Sequence, residues 1–205
     1  MNSKVGCSDI LKKLWAKTDP YHPLWCHLLD TAAVCEQLIG CLGCPDGFPP
    51  VWAMYVAALH DIGKADPEFQ ALDNNQKALL MNLELPFPPH REEGFRHEAR
   101  SGYWMRNYLK SETYSWGKYA ANVVAEVLQG HHGNFKPKSC INNTKEYETW
   151  EDIRAQLAEM IADVLCIQNE SFTPIEFVDA SSTGVKLVGL TVLSDWIASN
   201  DELYK

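Results

Sequence analysis

The adjacent residues His60 and Asp61 stand at the end of the apolar run 51–59, and no other feature of this chain constrains its fold as strongly. A run of that composition is typical of a buried helix. Burying an imidazole and a carboxylate at its end is costly unless the two groups are paired or bind a cation. Their partners must come from elsewhere in the chain, so the sequence predicts several segments that converge on this point.

Other histidines and a second aspartate have the same apolar surroundings. The residues on or beside segments with helical apolar spacing are His27, His97, His131, His132 and Asp195. Imidazole nitrogens and carboxylate oxygens together suit divalent transition metals. One tetrahedral catalytic ion, which keeps a position open for water, cannot use seven such groups, whereas two ions that share a carboxylate can. The set predicts a two-metal centre, for which phosphodiester hydrolysis is a natural use.

Each of these residues taken alone has an ordinary interpretation. An isolated histidine on a helix is more often structural or exposed than a ligand. Asp195 is equally suited to capping a neighbouring helix or pairing with an arginine. His131 and His132 cannot both point inward on a regular helix, so we expect that helix to end or kink between Gly130 and Gly133. The conjunction of all seven residues favours the metal centre.

The apolar spacing predicts an all-α chain. Helical periodicity covers residues 24–38, 52–60, 97–108, 119–131, 150–166 and 185–199, with a short helix over 66–80. The last helix is expected to bury a stripe that includes Val185, Val192, Asp195 and Trp196, and residues 133–145 are expected to form an exposed loop. We predict one domain over residues 1–205, with the metal site between central helices.

Composition narrows the class of protein. Hydrophobic content of 46% and charged content of 22% are ordinary for a globular protein, and no run approaches the ~18 apolar residues that span a bilayer. Seven scattered cysteines and no signal peptide favour a cytoplasmic protein without a membrane partner. The net charge of −9 argues against a protein that coats nucleic acid through its general surface. This net charge is compatible with a nucleic-acid substrate that binds at a local cluster of cations.

An ordered set of motifs resembles the HD superfamily of metal phosphohydrolases, and more closely the HD nuclease domain of the CRISPR type I helicase-nuclease. The motifs are WCHLLDTAAV at 25–34, ALHDIGKADPEFQ at 58–70, RHEA at 96–99, GHHG at 130–133 and SDWIASN at 194–200. They occur in the family's order, although residues 134 to about 185 carry no matching motif. The resemblance implies an HD-type helical bundle that cleaves single-stranded DNA in CRISPR antiviral defence.

The resemblance also assigns the candidate ligands to two ions. The first ion would be held by His27, His60, Asp61 and Asp195, and the second by His97, His131 and His132, with Asp61 bridging both. Lys64 matches the family lysine, which would bind a phosphate oxygen and the charge that develops in the transition state; a surface ammonium is the alternative. Histidine-rich ligation favours Mn, Fe, Co or Ni over Mg.

The family's nuclease works with an ATP-driven helicase, and this chain has no recognisable helicase motif. Gly63-Lys64 is not a phosphate-binding loop, because Ala58 stands where its first glycine belongs and Ala65 replaces the Ser or Thr. We therefore expect a nuclease domain without a helicase domain. Its expected partners are single-stranded DNA, a helicase domain or subunit, and the CRISPR RNA-guided surveillance complex, in cis or in trans.

Two other functions stay open at this point. One is an HD-type phosphohydrolase acting on small nucleotides, and the other is an interaction module with a vestigial metal site. The histidine-rich second site and Ser194-Asp195-Trp196 favour the nuclease, and the complete ligand set argues against a vestige. Four aromatic residues are candidates for stacking on unpaired bases, although Trp25 is expected in the core. They are Tyr21, Trp25, Phe135 and Tyr147.

Overall fold

A computed structural model of the protein describes residues 7–90, 93–133, 145–169, 172 and 180–200. The α-helices are α1 (Cys7–Leu11), α2 (Leu24–Leu42), α3 (Pro50–Ala58), α4 (Pro67–Gln70), α5 (Asn74–Asn82), α6 (His97–Leu109), α7 (Lys118–Gly130), α8 (Lys145–Val164) and α9 (Ala180–Ala198). Two 3-10 helices span Leu59–Lys64 and Ile167–Asn169. The strands are β1 (Trp15–Thr18) and β2 (Tyr21–Pro23). Within the described ranges, no helix has the length and apolarity to cross a membrane.

The predicted all-α class is confirmed, apart from one small hairpin. Strands β1 and β2 pair antiparallel, with Trp15 opposite Pro23 and Thr18 opposite Tyr21, and the register is irregular between Trp15 and Lys17. The prediction missed this hairpin because its first strand does not alternate. Trp15 and Ala16 are both buried and Thr18 is exposed, so the period of two that identifies a strand is absent.

Helix α3 forms the centre of the core. Trp52, Tyr55, Val56 and Ala58 are all buried, and a helix that is apolar on every side belongs in the interior. Helix α2 packs along α3 and α9, and α6 packs along α7 and the 3-10 helix that follows α3. His60 and Asp61, as the second and third residues of that 3-10 helix, therefore lie where these helices meet.

The 3-10 helix Leu59–Lys64 sets the direction of the ligand side chains. Its backbone departs from helical geometry at Asp61, where φ is −105° and ψ is 15°. Gly63 then lies against α6 so closely that an added Cβ would be 2.1 Å from the carbonyl oxygen of His97 and 2.7 Å from the amide nitrogen of Ser101. Since no larger residue fits this contact, Gly63 brings the first turn of α6 beside Asp61.

The predicted end of the helix before the paired histidines is confirmed. Helix α7 ends at Gly130, and His131 is its C-terminal cap. Gly133 follows with φ of +78°, a conformation that glycine adopts without strain. Its amide nitrogen donates to the carbonyl oxygen of Gly130 at 2.7 Å. The chain therefore turns at His131 and His132, and the centres of the two rings lie 4.1 Å apart.

Helix α9 buries a different face from the one predicted. Val185 is 69% exposed and Trp196 is 67% exposed, so the predicted stripe is wrong at these two residues. The buried residues described on α9 are instead Thr183, Leu187, Leu190, Thr191 and Ser194. Small hydroxyl residues can line a core when they satisfy their own polar groups, and the hydroxyl of Thr191 donates to the carbonyl oxygen of Leu187 at 2.9 Å.

Two further predictions differ from the structure or lie beyond its description. The short helix over 66–80 is in fact two helices, α4 and α5, capped by Asp66 and Asp73. Each aspartate accepts from backbone amides of the following turn, which is the normal role of an N-cap and separates the two helices. Most of the loop predicted over 133–145, including Phe135, lies outside the described residues.

Candidate metal centre

The seven candidate ligands lie together in two groups that share Asp61. Within each group, one ligand atom from every residue lies within 4.8 Å of the others. The first group consists of His27, His60, Asp61 and Asp195, and the second of Asp61, His97, His131 and His132. This is the division that the sequence resemblance implied. The binding of metal by these residues stays a prediction.

The first group joins three elements of the fold. His27 comes from α2, His60 and Asp61 from the 3-10 helix after α3, and Asp195 from α9. The Nε2 atom of His27 is 3.1 Å from Asp61 Oδ2, and the Nε2 atom of His60 is 3.3 Å from the same oxygen. His60 Nε2 is also 3.4 Å from Asp195 Oδ1. Two imidazoles and two carboxylates thus share one small volume.

The second group lies on the other oxygen of Asp61. Asp61 Oδ1 is 3.1 Å from His97 Nε2 on α6 and 3.4 Å from His131 Nε2 at the end of α7. His132 completes the group, with its Nε2 atom 3.2 Å from that of His97. Each carboxylate oxygen of Asp61 therefore faces one group, as a carboxylate shared by two cations requires.

Backbone carbonyls orient two of the rings. His60 Nδ1 lies 2.9 Å from the carbonyl oxygen of Ala57, and His131 Nδ1 lies 2.5 Å from that of Leu128. A carbonyl only accepts, so each Nδ1 carries the proton and donates it. The Nε2 atoms, which face Asp61, are then free to act as ligands in the neutral rings.

The donor atoms fit a cation better than they fit one another. The ligand atoms His60 Nε2, Asp61 Oδ1 and His131 Nε2 are buried and have no hydrogen-bond partner in the described part of the chain. Buried polar atoms of folded proteins are nearly always hydrogen-bonded. These atoms approach other donors or acceptors to 3.1–3.4 Å without the alignment of a hydrogen bond. A metal ion satisfies such a set because it accepts every lone pair at once.

The charges in the centre favour ionised carboxylates. Burial alone would raise the pKa of Asp61, but His60, Lys64 and His97 hold it well below its ordinary value. Burial also acts against the ionised form of Asp195, and the His60 side chain nonetheless keeps that pKa low. Burial lowers the pKa of His27, which favours the neutral ring that a metal ligand needs.

Lys64 lies inside the centre. Its Nζ atom is 2.7 Å from Asp61 Oδ2 and 5.4 Å from the centre of the Phe69 ring, and the side chain is only 14% exposed. The alternative of a solvated surface ammonium therefore does not describe this side chain. Its contact with phosphate stays a prediction.

Sequence reasoning assigned no role to Glu98, which neighbours His97 in RHEA. The Glu98 carboxylate is almost fully buried, forms an ion pair with Arg96, and lies 3.7 Å from His97 Nδ1. A carboxylate that accepts a hydrogen bond from a metal-binding histidine orients its ring, and Glu98 lies just beyond that distance. The motif at 96–99 contained the residue, but only the structure distinguishes this carboxylate from a solvated one at the start of a helix.

A buried ionic cluster beside the centre was also missed. Asp66 contacts Arg100 Nε at 3.0 Å and Arg154 Nη1 at 3.1 Å, and Arg154 also donates to the carbonyl oxygen of Ala65 at 2.7 Å. These contacts connect the segment after Lys64 with α6 and α8. Their sequence separation of 34 to 89 residues leaves no local pattern from which to predict them.

The remaining histidines and the proposed stacking residues lie elsewhere. His22 pairs with Asp30 at 2.9 Å and belongs to neither group. Tyr147 is buried and donates to Glu68 at 2.7 Å, and Trp25 packs against the core. Tyr21 is exposed on β2.

The chain is similar to known proteins in sequence and in fold. The family model described as Cas3, HD domain, matches residues 15–204. A CRISPR-associated endonuclease/helicase Cas3 of Thermus thermophilus is 29% identical over 214 residues, covering 93% of this chain and 22% of the relative. A crystal structure of a CRISPR-associated protein superposes with a TM-score of 0.76 at 28% identity, covering 99% of this chain and 25% of that one.

A second solved structure, of a CRISPR RNA-guided surveillance complex, pre-nicking, contains a chain that matches with a TM-score of 0.70 at 25% identity. The match covers 94% of this chain and 25% of that one. The chain thus spans about a fifth to a quarter of the length of the relatives it matches.

Proposed function

The chain belongs to the Cas3 HD domain family, and from this premise we propose that it is a metal-dependent nuclease that hydrolyses phosphodiester bonds of single-stranded DNA. The observation that carries the proposal is the pair of His/Asp groups that share Asp61. A relative of this chain is an endonuclease/helicase, which supports a nucleic acid rather than a free nucleotide as the substrate.

Each group of side chains has a distinct task in this proposal. His27, His60 and Asp195 hold one cation, and His97, His131 and His132 the other, with Asp61 between them. Divalent Mn, Fe, Co or Ni held there would withdraw charge from the phosphoryl oxygens and lower the pKa of the attacking water. Because Nδ1 of His60 and of His131 donates to the carbonyl oxygens of Ala57 and Leu128, the neutral form of each ring would present its Nε2 lone pair to the cation.

Lys64 has the task of binding the scissile phosphate. Its ammonium lies 2.7 Å from Asp61 Oδ2, within the same cluster as the ligands. A fixed positive charge at this position stabilises a non-bridging phosphate oxygen as negative charge develops on it. Low exposure strengthens that interaction because less water screens it.

We further propose that residues 1–205 form one HD-type domain that works with a helicase and with an RNA-guided surveillance complex. The support comes from relatives: one is an endonuclease/helicase of which this chain covers 22%, and one matching chain belongs to a surveillance complex. A helicase supplied in cis or in trans would deliver an unpaired strand to the metal centre, in CRISPR antiviral defence.

A paired substitution tests the proposed function. The full chain is loaded with Mn²⁺, Co²⁺, Ni²⁺ or Mg²⁺ and incubated with circular single-stranded DNA or with deoxynucleotides. We expect the circles to be cut by the wild type and by His22→Ala, but not by His27→Ala. His22 is the matched control because it is a nearby histidine bonded to a carboxylate but outside both groups.

Phosphate release from deoxynucleotides with intact circles would favour the small-nucleotide phosphohydrolase and overturn the proposal. Equal cutting by His27→Ala and the wild type would overturn the assignment of the first group.

A further inference from the structure

A groove of about 560 Å³ opens beside the second ligand group, between the end of α7 and helix α9. This volume lies within the range of ligand sites, about 300–1,000 Å³. Its lining residues include His131, His132, Val188, Val192, Leu193 and Trp196. The His131 side chain is fully buried, whereas His132 is exposed and belongs to the second ligand group, so the groove borders the candidate metal centre at His132.

Trp196 is the most exposed large residue of this groove. It follows the candidate ligand Asp195 directly, and successive residues of an α-helix point about 100° apart. Asp195 reaches His60 at 3.4 Å, whereas Trp196 turns to the groove with 67% of its surface exposed. Leu193 is also exposed on the same rim. An indole presented to solvent in a concave apolar site suggests a ligand with a flat face.

Glycines keep the groove open. A Cβ added at Gly133 or Gly189 would meet no atom within 4 Å, so both residues border free space. The described lining residues contain no carboxylate, although the whole chain carries a net charge of −9. A strand of nucleic acid therefore meets no negative side chain along the lining of this groove.

We propose that this groove binds one unpaired nucleobase of the substrate strand, stacked on the indole of Trp196. The inference rests on the proposed function, because the base belongs to the strand that is cut. Every base has a π-face that an aromatic side chain can stack on, independently of sequence. A base in the groove lies next to His132, so its own phosphate group is close to the second ligand group.

This subsite would also explain a preference for single strands over duplexes. In a duplex both faces of a base are covered by its neighbours, so a paired base cannot stack on Trp196 without leaving the helix. The groove therefore favours single strands without reading their sequence. A protein partner seated on α9 is the competing occupant, but it would cover His132 and close this entrance to the metal centre.

The test is a binding measurement on the full chain loaded with Mn²⁺. Fluorescence anisotropy follows a short labelled oligonucleotide with nuclease-resistant phosphorothioate linkages, so that affinity is measured without turnover. We expect Trp196→Ala to weaken binding by about 5- to 150-fold, the usual effect of losing one stacked base. Trp196→Phe should retain much of the affinity because it keeps an aromatic face.

Two control variants separate stacking from general changes to the surface. Tyr119→Ala removes another exposed aromatic residue, on α7, and Val185→Ala alters an exposed apolar residue of α9 outside the lining of the groove. Both should bind like the wild type. A set of oligonucleotides completes the test, each lacking the base at a different single position. At the position that occupies the groove, removing the base should weaken binding to the wild type. The same removal should have no further effect on binding to Trp196→Ala.

Unchanged affinity in Trp196→Ala, with an active wild type, would overturn the subsite and leave the proposed function intact. The subsite would also be overturned if Trp196→Ala lost the same affinity for the abasic oligonucleotides as for the intact one. Stacking on the base would then not explain the effect. A wild type that neither binds nor cuts single strands would overturn the proposed function and the subsite together.

Discussion

At the scale of single residues, Asp61 determines what the centre can be. Its Oδ2 atom faces His27 and His60, and its Oδ1 atom faces His97 and His131. No other residue among those described belongs to both groups. The other candidate ligands each serve one proposed ion, so losing one of them should leave the other ion in place.

Glu98 provides a test of how one ligand is oriented. We expect Glu98→Gln to weaken binding of the second cation by about 10- to 100-fold, because it removes the negative charge beside His97 Nδ1. Titration of the metal-free protein with Mn²⁺ against a competing chelator should show one weakened site and one unchanged site. Glu126→Gln, an exposed change on α7, is the control. Equal weakening of both sites would contradict an orienting role for Glu98.

The proton on His60 predicts a pH dependence of metal binding. Burial lowers the pKa of this ring, but Asp61 and Asp195 outweigh burial and raise it to about 10 in the metal-free protein. A metal ligand must be neutral, so binding displaces this proton. Affinity for Mn²⁺ should therefore rise with pH between 6 and 9, by about tenfold per unit when one proton is released.

Isothermal titration calorimetry in buffers with different ionisation enthalpies would count that proton. Binding with no proton release and no change in affinity over this range would contradict the assignment of His60 as a ligand.

At the scale of elements, close packing against the 3-10 helix Leu59–Lys64 sets the geometry. Gly63 allows α6 to approach this segment, and its amide nitrogen donates to the hydroxyl of Ser101 at 2.8 Å. Gly102 has the same function between α6 and α7, since an added Cβ would lie 2.4 Å from the carbonyl oxygen of Ala125. These two contacts relate the helices that carry His97 and His131.

Gly63→Ala should disturb both stability and the second ligand group. The added methyl group overlaps the backbone of His97, and overpacking of this kind costs about 1–3 kcal/mol. We expect a lower free energy of unfolding in urea and weaker binding of the second cation. Gly40→Ala is the matched control, because its Cβ would enter open space on α2 and should stabilise that helix by about 1 kcal/mol.

An unfolding free energy for Gly63→Ala equal to that of the wild type would contradict the close approach of α6.

The sequence predicted which residues lie together in the candidate centre better than it predicted the elements that carry them. His60, Asp61 and the paired histidines are recognisable because each motif is short and local. The buried face of α9 was wrong because Thr191 and Ser194 replace apolar residues in the core. The hairpin β1–β2 and the caps at Asp66 and Asp73 depend on contacts or local hydrogen bonds that apolar periodicity does not report. Trp196 was wrongly placed on the buried stripe because the buried face of α9 includes the hydroxyl residues Thr191 and Ser194, which apolar spacing does not identify.

At the scale of the whole molecule, an acidic chain encloses a candidate metal centre that we propose binds a polyanion. The net charge of −9 repels nucleic acid from the general surface, while bound cations and Lys64 would provide a local positive charge. Under the proposed function, such a molecule would need another component to bring a strand to the centre.

The buried cluster around Asp66 should contribute to the stability of the whole fold. Arg154→Met removes one of two arginines from a fully buried carboxylate, and breaking such a pair costs about 3–5 kcal/mol. Thermal unfolding should show a clearly lower Tm. Lys186→Met breaks the exposed pair with Asp46 and should change stability by about 0–1 kcal/mol. Similar effects of the two changes would contradict the importance assigned to the cluster.

The metal content of the purified full chain tests the central claim most directly. After equilibration with Mn²⁺ and removal of free metal, elemental analysis should find two equivalents in the wild type and in His22→Ala. Asp61→Asn should lose both, because Asp61 is the ligand shared by the two groups. A wild type that holds no metal, or an Asp61→Asn variant that retains two equivalents, would contradict the account.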